Sequence, residues 1–568
     1  LDLTAALHDF HATAALIASL DLVISIDTAV AHLAGSMGKP VWLLVPFVPD
    51  WRWLLERDDS PWYPSMRLFR QPSRGAWEQV IGTVLAELTF LGNAPAEALT
   101  NKGALLGEHG RHTEALRCYN EALLYRSDIA VTQYNRGNSL SALGCIQEAR
   151  NAWHRALQLN PRLVEAWHNL AISHRDQGDC KTAHTLLLQA LQLRPNDPEL
   201  QHTRGELFQA EERFEEAIAA FRQSLAVRPG SARTWNSLGT VYQSLEQDPA
   251  AEQCYRAALA HDPRHLHARN NLGAVLLSQG RAEEAIPELE LLIASHPDYY
   301  DGHWNLACAL LAAGHWAQGW QAFEYRFLKH SPVEERHQEI PRWDGHRPLA
   351  DKTVLLVGEQ AFGDTLQFVR FIPQLAARGA RVILECQAPP LVPLMQGQAG
   401  LTDVICRGDA VPPADYRIPL LSLPLLLQTP AETLADLVPY LTPSQDKREQ
   451  WRIRLADDTR LRVGLCWWGR QTLRNRRRSC PPDLLAPLAA LSGISLYRLQ
   501  LGDDVPAPPY SLVDHTGLIA DFSDTAALIS CLDLVITIDT AVAHLAGALG
   551  VPVWLMLPLT GDWRWMSE

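Results

Sequence analysis

Apolar and polar positions follow two regimes along this chain. Toward both ends, short apolar runs alternate with amphipathic stretches; in the middle, a longer helical pattern repeats. From Asp521 the pattern predicts a helix opened by Ser523 and Asp524, a buried strand Leu534–Ile538, a polar break at Asp539-Thr540, a second helix and a second apolar strand. Such a strand-helix-strand unit belongs to a parallel sheet, and open parallel sheets bind ligands at the carboxyl ends of their strands. The same text occurs at the front of the chain: Asp9–Trp53 matches Asp521–Trp565 at a constant offset of 512, with roughly 32 of 45 positions identical. Residues 1–93 therefore read as the carboxyl-terminal piece of a first α/β domain, closed by an extended stretch from Ser60 to Pro64 and a helix Trp77–Leu88. The rear copy stops at Glu568, before any such closing segment. Two expectations follow: a fragment, or a molecule whose front piece completes something.

Between these copies a period of 34 dominates. Small residues recur at Gly103, Gly137, Ala171, Gly205, Gly239, Gly273 and Ala307, alanines at Ala115, Ala149, Ala183, Ala217, Ala251 and Ala285, and prolines at Pro161, Pro195, Pro229, Pro263 and Pro297. Small residues let paired helices approach, and each pair buries its apolar face only against its neighbours. The pattern resembles the tetratricopeptide repeat, and seven repeats fit between residues 97 and 330. Two positions before each small residue stand Asn101, Asn135, Asn169, Thr203, Ser237, Asn271 and Asn305. An asparagine both donates and accepts, so a ladder of them suits an extended polypeptide held without regard to its sequence. This arrangement resembles the asparagine ladder in the repeats of protein O-linked N-acetylglucosamine transferases; the plainer alternative is that asparagine is simply common at this repeat position.

Charge narrows the partners. The 568 residues carry a formal net charge of −14, so phosphate-dominated attraction to nucleic acid or anionic membranes is not expected. The ten cysteines are scattered without a C-x-x-C pair, which favours a reducing compartment. No leader-like start is legible, and the longest apolar run, Ile418 to Leu427, is interrupted by proline and too short to span a bilayer. A cytoplasmic protein is the expectation.

Residues 331–350 are charged and proline-containing and read as a linker. Residues 351–450 then begin with a buried strand Thr353–Val357, a glycine-bearing turn to Gly363-Asp364, a helix through about Arg378 and a strand Arg381–Glu385. This is a Rossmann-like start without the G-x-G-x-x-G or Walker fingerprint. Asp364 sits at a helix entrance, where it is either an N-cap or a general base for an acceptor hydroxyl. Gly363 is expected to let the backbone approach a ligand. Residues 460–568 supply a strand Arg462–Trp468, a five-arginine loop from Arg470 to Arg478, a strand Ser495–Leu499 and then Gln500, Gly502, Asp503 and Asp504. Guanidinium groups pair bidentately with phosphate oxygens, so the loop suits a diphosphate, or is merely a solvated basic segment.

The segment Gly363-Asp364-Thr365-Leu366, with Pro373, resembles the G-D-x-L…P signature of the heptosyltransferase-like glycosyltransferases (family 9). Asp539-Thr540-Ala541-Val542-Ala543-His544-Leu545-Ala546 resembles their D-T-x-x-x-H-L-A signature, with Ala541 where glycine is frequent. The resemblance covers residues 351–568. It implies a GT-B fold of two Rossmann-like α/β halves behind an α-solenoid, with Asp364 as base. Donor contacts are implied for Asp539, Thr540 and His544. In place of the family's phosphate-serving lysine stand arginines, Arg476 or Arg478, and Gln500 is expected to line the nucleoside. Transfer from a nucleotide-diphosphate sugar to a hydroxyl is the expected reaction, with no metal and no further cofactor. The solenoid suggests a polypeptide acceptor, similar to the organisation of O-linked N-acetylglucosamine transferases. Two rivals stand beside it: a repeat scaffold without catalysis, and a transferase for glycan or lipid-linked acceptors.

Overall fold

A computed structural model gives the architecture. It describes residues 2, 7–55, 57–92, 95–429, 437–469, 478–502, 505–558 and 562–565. The chain divides into two compact units, residues 1–211 and 212–568.

The first unit opens with the front α/β piece: α1 (Phe10–Ser19), β1 (Val23–Ile26), α2 (Ala29–Ser36), β2 (Val41–Val45), β3 (Met66–Arg70) and α3 (Trp77–Gly92). Its three strands are parallel in the order β1-β2-β3. One face of this sheet packs its own helices around Ile17, Ala31, Val45 and Trp53. The other buries Trp42 and Phe69 with Val80, Val84, Leu99 and Ala122, so the first repeat shares a core with the front piece.

Fourteen repeat helices run from α4 (Pro95–Glu108) to α17 (Trp316–Phe323); α4 to α9 (Cys180–Leu193) make three pairs in the first unit, and α12 (Ala232–Ser244) to α17 make three in the second. The reason for the small residues is direct. A Cβ added at Gly103, Gly137, Gly239 or Gly273 would lie 2.5–2.6 Å from Tyr119, Trp153, Tyr255 or Leu289, the side chain 16 residues on in the second helix of the same pair. The prolines end each pair, and their carbonyls are not left to water. Each accepts a bond from the side chain six residues later: Trp167 to Pro161 (2.9 Å), Gln201 to Pro195 (2.9 Å), Trp235 to Pro229 (2.8 Å), Arg269 to Pro263 (2.7 Å) and His303 to Pro297 (2.8 Å).

In the second unit, β4 (Thr353–Val357), β5 (Arg381–Cys386), β6 (Leu401–Cys406) and β7 (Tyr416–Pro419) form a parallel sheet ordered β6-β5-β4-β7. A second parallel sheet is ordered β11-β10-β8-β9, from β8 (Leu461–Cys466), β9 (Ile494–Arg498), β10 (Leu534–Ile538) and β11 (Val553–Met556). The helices are α18 (Phe362–Phe368), α19 (Ile372–Ala377), α20 (Val392–Met395), α21 (Leu423–Leu427), α22 (Gln445–Arg454), α23 (Ala486–Ala489), α24 (Phe522–Ile529) and α25 (Ala541–Ala548). The helix expected through Arg378 is broken into α18, a 3-10 turn and α19, since Pro373 in the first turn of α19 withholds an N–H. The helix expected from Ser523 starts earlier, capped by Asp521, whose carboxylate accepts from Asp524 N at 3.0 Å.

The expected linker is not a loose connector. Trp343 is buried, donates to Arg347 O at 2.9 Å, and its neighbour Arg342 bridges in parallel to Arg417 on β7. One continuous core runs from Ala307, Leu311, Trp320 and Phe323 of the last repeat through Val354 and Leu366 to Leu545 and Trp563. Arg326, fully buried just after α17, fastens this junction through Glu359 (2.8 and 3.0 Å), Glu324 (2.7 Å) and Ser422 (2.7 Å). Among the described residues no helix is long and apolar enough to cross a membrane.

Candidate functional site

All strands of the β8–β11 sheet are parallel, so the residues that follow β8, β9 and β10 emerge on one edge. A cleft of about 700 Å³ lies there. It is lined by Trp468 and Gly469 after β8, Gln500 and Leu501 after β9, and Thr540 with the first turn of α25 after β10; Phe362 closes it from the other half. The Thr540 side chain makes no capping bond to α25, and its carbonyl takes Ala543 N at 3.0 Å, so the Ala541 and Val542 amides are the first-turn groups that suit an anion at the helix's positive end.

Gln500 is more committed than its position suggests. Its Oε1 accepts from Trp467 N (3.1 Å) and Trp468 N (2.8 Å), so it laces the end of β8 to β9 while lining the cleft. Gly363 also differs from expectation. A Cβ there would meet His544 Cδ2 at 2.7 Å, so the glycine permits α18 to approach α25 rather than a ligand.

Beside the cleft, predicted residues from both halves converge in one polar cluster. Asp364 is not the N-cap, which is Ala361, but the third residue of α18: its Oδ2 accepts from Ala361 N at 2.9 Å, and Oδ1 is paired with Arg564. Arg564 also donates to Asp562 (2.6 Å) and Gln367 (3.1 Å). Arg478 pairs with Asp539 (2.9 Å) and reaches Asp562 at 3.5 Å. His544 lies 3.8 Å from Asp539 and stacks on Trp565 with centroids 5.0 Å apart. Burial, reinforced by the Arg564 charge, pushes the His544 imidazole down to about 3, so it is neutral at ordinary pH. Burial raises the Asp539 carboxyl despite Arg478. Burial also opposes ionisation of Asp562, but Arg564 outweighs it and holds that carboxyl below its usual range.

The structure thus gathers Gly363, Asp364, Arg478, Asp539 and His544, and sets Gln500 and Thr540 on the cleft wall. Arg476, with the rest of 470–477, lies outside the described residues, as do Asp503 and Asp504. Arg564 and Asp562 were not singled out by motif. The available signal was the Asp-Trp-Arg-Trp text shared by both copies, at residues 50–53 and 562–565. Among the described residues of the cluster, two guanidiniums face three carboxylates, and both oxygens of Asp364 are already partnered, by Ala361 N and Arg564.

The asparagines also do more local work than expected. Asn169 donates to Asn138 Oδ1 at 2.8 Å, Asn271 to Asn236 Oδ1 at 3.1 Å and Asn305 to Asn270 Oδ1 at 2.9 Å, and His168 meets Thr203 at 2.7 Å. These bonds tie α8 (Val164–Arg175) to α6 (Ala130–Ala142) and α10 (Pro198–Ala210) in the first unit, and α14 (Leu266–Ser278) to α12 and α16 (Tyr300–Ala312) in the second. Asn101 is exposed and Asn135 half-buried. In the first unit a hollow of about 530 Å³ is lined by Asn138, Asn169, Trp153 and Ser173.

Helical repeats carrying parallel-sheet α/β elements define the class. Residues 128–196, 198–264 and 241–300 match the tetratricopeptide-repeat family, so the middle of the chain consists of tetratricopeptide repeats. The chain is similar to Protein FlbA of Caulobacter vibrioides, at 27% identity over 279 residues covering 44% of this chain and 46% of FlbA. It thus spans less than half the length of that relative. Similar solved structures include YrrB, a TPR protein with an unusual peptide-binding site (24% identity, 32% of this chain, 94% of that chain, TM-score 0.28). Another is a thermophilic TPR protein, TTC0263 of Thermus thermophilus (21% identity, 32% of this chain, 99% of that chain, TM-score 0.29).

Proposed function

We propose that the repeats are a scaffold for a polypeptide partner, and that the α/β halves beside them bind a nucleotide-diphosphate sugar as a GT-B-type glycosyltransferase. The scaffold part is carried by the repeat family itself, whose helix pairs form peptide-binding surfaces. The transferase part is carried by one observation: a cleft at the carboxyl edge of a parallel sheet, with a helix start that has no side-chain cap on its wall and Asp364 from the facing half beside it.

In this reading the diphosphate takes the amides at the start of α25 and draws Arg478 and Arg564 toward itself. Release from Arg564 frees Asp364 Oδ1 to accept the acceptor's hydroxyl proton as the oxygen bonds to the anomeric carbon and the nucleoside diphosphate departs. Nucleotide sugar is the substrate, and the polypeptide in the groove is the acceptor or its carrier.

The test is thermal shift of the full chain with UDP-, GDP-, ADP- and TDP-sugars, followed by labelled-sugar transfer. One donor is expected to stabilise the chain, Thr540→Pro to abolish that shift, and Asp364→Asn to keep it while slowing transfer about 10²–10⁴-fold. If no donor shifts the chain while partner proteins still bind the repeats, the interaction-scaffold reading stands alone.

A further inference from the structure

The hollow between the second and third repeats is built unlike the later junctions. Asn169, Asn271 and Asn305 hold the same repeat position. Asn271 and Asn305 donate to Asn236 and Asn270, whereas Asn169 donates to Asn138, which lies one helical turn further along its helix than those acceptors lie along theirs. An indole fixes this arrangement. Trp153 Nε1 donates to Asn138 Oδ1 at 3.0 Å, and an indole N–H can only donate, so the atom of Asn138 that faces it is the oxygen. The same oxygen takes Asn169 Nδ2 at 2.8 Å, which orients the second amide in turn. Asn169 Nδ2 also reaches Tyr134 Oη at 3.5 Å. Two atoms are left over: Asn138 Nδ2, a donor, and Asn169 Oδ1, an acceptor. Among the described residues neither has a protein partner, and both side chains line the hollow half-buried.

The rest of the wall narrows what fits. Ser173 Oγ accepts from Arg150 Nε at 2.9 Å, so its own O–H is a further donor. The one charged group on the lining, Asp176, is matched by Arg175 at 2.8 and 3.0 Å. Ile146, Ile172 and Trp153 are apolar. A carboxylate in this hollow would set its lone pairs against Asn169 Oδ1, and an ammonium would set its hydrogens against Asn138 Nδ2; each leaves a polar atom unpaired and desolvated. A primary carboxamide satisfies both, its oxygen accepting from Asn138 and its NH₂ donating to Asn169. We infer that the hollow is a subsite for a carboxamide side chain, glutamine or asparagine, of the polypeptide that the repeats hold. This rests on the reading of the repeats as a polypeptide scaffold and adds a side-chain preference at one place along the array. A backbone amide offers the same two functions, but it has no stem to lay against Ile146, Ile172 and Trp153 in a hollow of about 530 Å³.

The test is fluorescence anisotropy of the full chain with short labelled serine-glycine peptides that differ only at the central residue: Gln, Asn, Glu, Lys or Ala. The Gln and Asn peptides are expected to bind about tenfold more tightly than those with Glu, Lys or Ala. Asn138→Asp keeps the oxygen that Trp153 and Asn169 need and replaces the N–H donor by a second acceptor. It is expected to keep native circular dichroism and to turn the preference from Gln to Lys. Equal affinity for the Gln, Glu and Ala peptides overturns the inference, because the backbone alone is then read. A folded Asn138→Asp chain that keeps the Gln preference overturns it as well. Should that variant fail to fold, Ala142→Trp decides: it fills the hollow from its exposed side without touching the amide pair. It is expected to remove the Gln advantage, and an unchanged advantage refutes the subsite. No binding by any peptide also overturns the inference; whether partner proteins still bind the full chain then decides the scaffold reading separately.

Discussion

The front and rear copies are one 45-residue text in two settings, and the contrast separates what a sequence does by itself from what its neighbours add. Strand register, helix caps and the histidine-tryptophan stack (His32 on Trp53, His544 on Trp565) are alike in both, so these follow from local sequence. Burial and ion pairing are not alike. Arg52 pairs with Asp50 at 3.0 Å and lies over the Trp51 ring, whereas Arg564 spans Asp562 and Asp364. The same local geometry thus goes with different ion pairing, because Arg564 meets Asp364.

Paired changes sharpen that contrast, the pair with the largest expected loss first. Arg326 is buried among two carboxylates that hold the rear assembly, so Arg326→Ala is expected to cost about 3–5 kcal/mol in urea unfolding of the second unit. Arg67→Ala, which removes a half-exposed pair with Glu87 in the front piece, is expected to cost less than about 1 kcal/mol. An equal loss at both sites would erase the difference. Trp563→Ala should destabilise by about 3 kcal/mol, the range for a buried indole, while Trp51→Ala should fall within about 0.5 kcal/mol of wild type.

His544 provides a pH signature. Its folded value of about 3 lies below the ordinary 6.5, so the unfolded chain takes a proton first as acid is added. The stabilisation is complete above pH 6.5 and is lost as pH falls toward 3, at up to about 1.4 kcal/mol per unit. His544→Phe should flatten that part of a stability-pH profile; an unchanged slope would assign the acid sensitivity elsewhere. Last, Asn169→Ala removes one inter-repeat bond and is expected to cost about 1 kcal/mol in thermal unfolding. If it instead leaves stability intact while weakening a bound peptide, the asparagine column serves the groove more than the repeats.

Much of the fold was legible because its signals are local. Leu534–Ile538 and Thr353–Val357 stand out as apolar runs, and a 34-residue period leaves little freedom in helix placement. Element ends were less legible: Asp521, not Ser523, caps α24, because a single carboxylate decides the first turn. The site was legible only in part. Asp364 and Asp539 were found by motif, yet the guanidinium that ties the halves together belongs to Arg564, 200 residues from Asp364, a pairing no periodicity encodes. Gly363 was read for the wrong neighbour, since the space it leaves is filled by an imidazole from the other half. The asparagine column was read as facing a partner, but a side chain able to hold a foreign peptide is equally able to hold the next helix.

The proline carbonyls at the repeat junctions carry a further consequence. Five junctions are closed by an indole, an amide, a second indole, a guanidinium and an imidazole, each from the same relative position. The joints therefore share one shape but not one hardness: indole and amide donors are indifferent to ionic strength, whereas the guanidinium at Arg269 weakens as salt screens its charge. Flexibility along such an array can be retuned one side chain at a time, without disturbing the helices on either side.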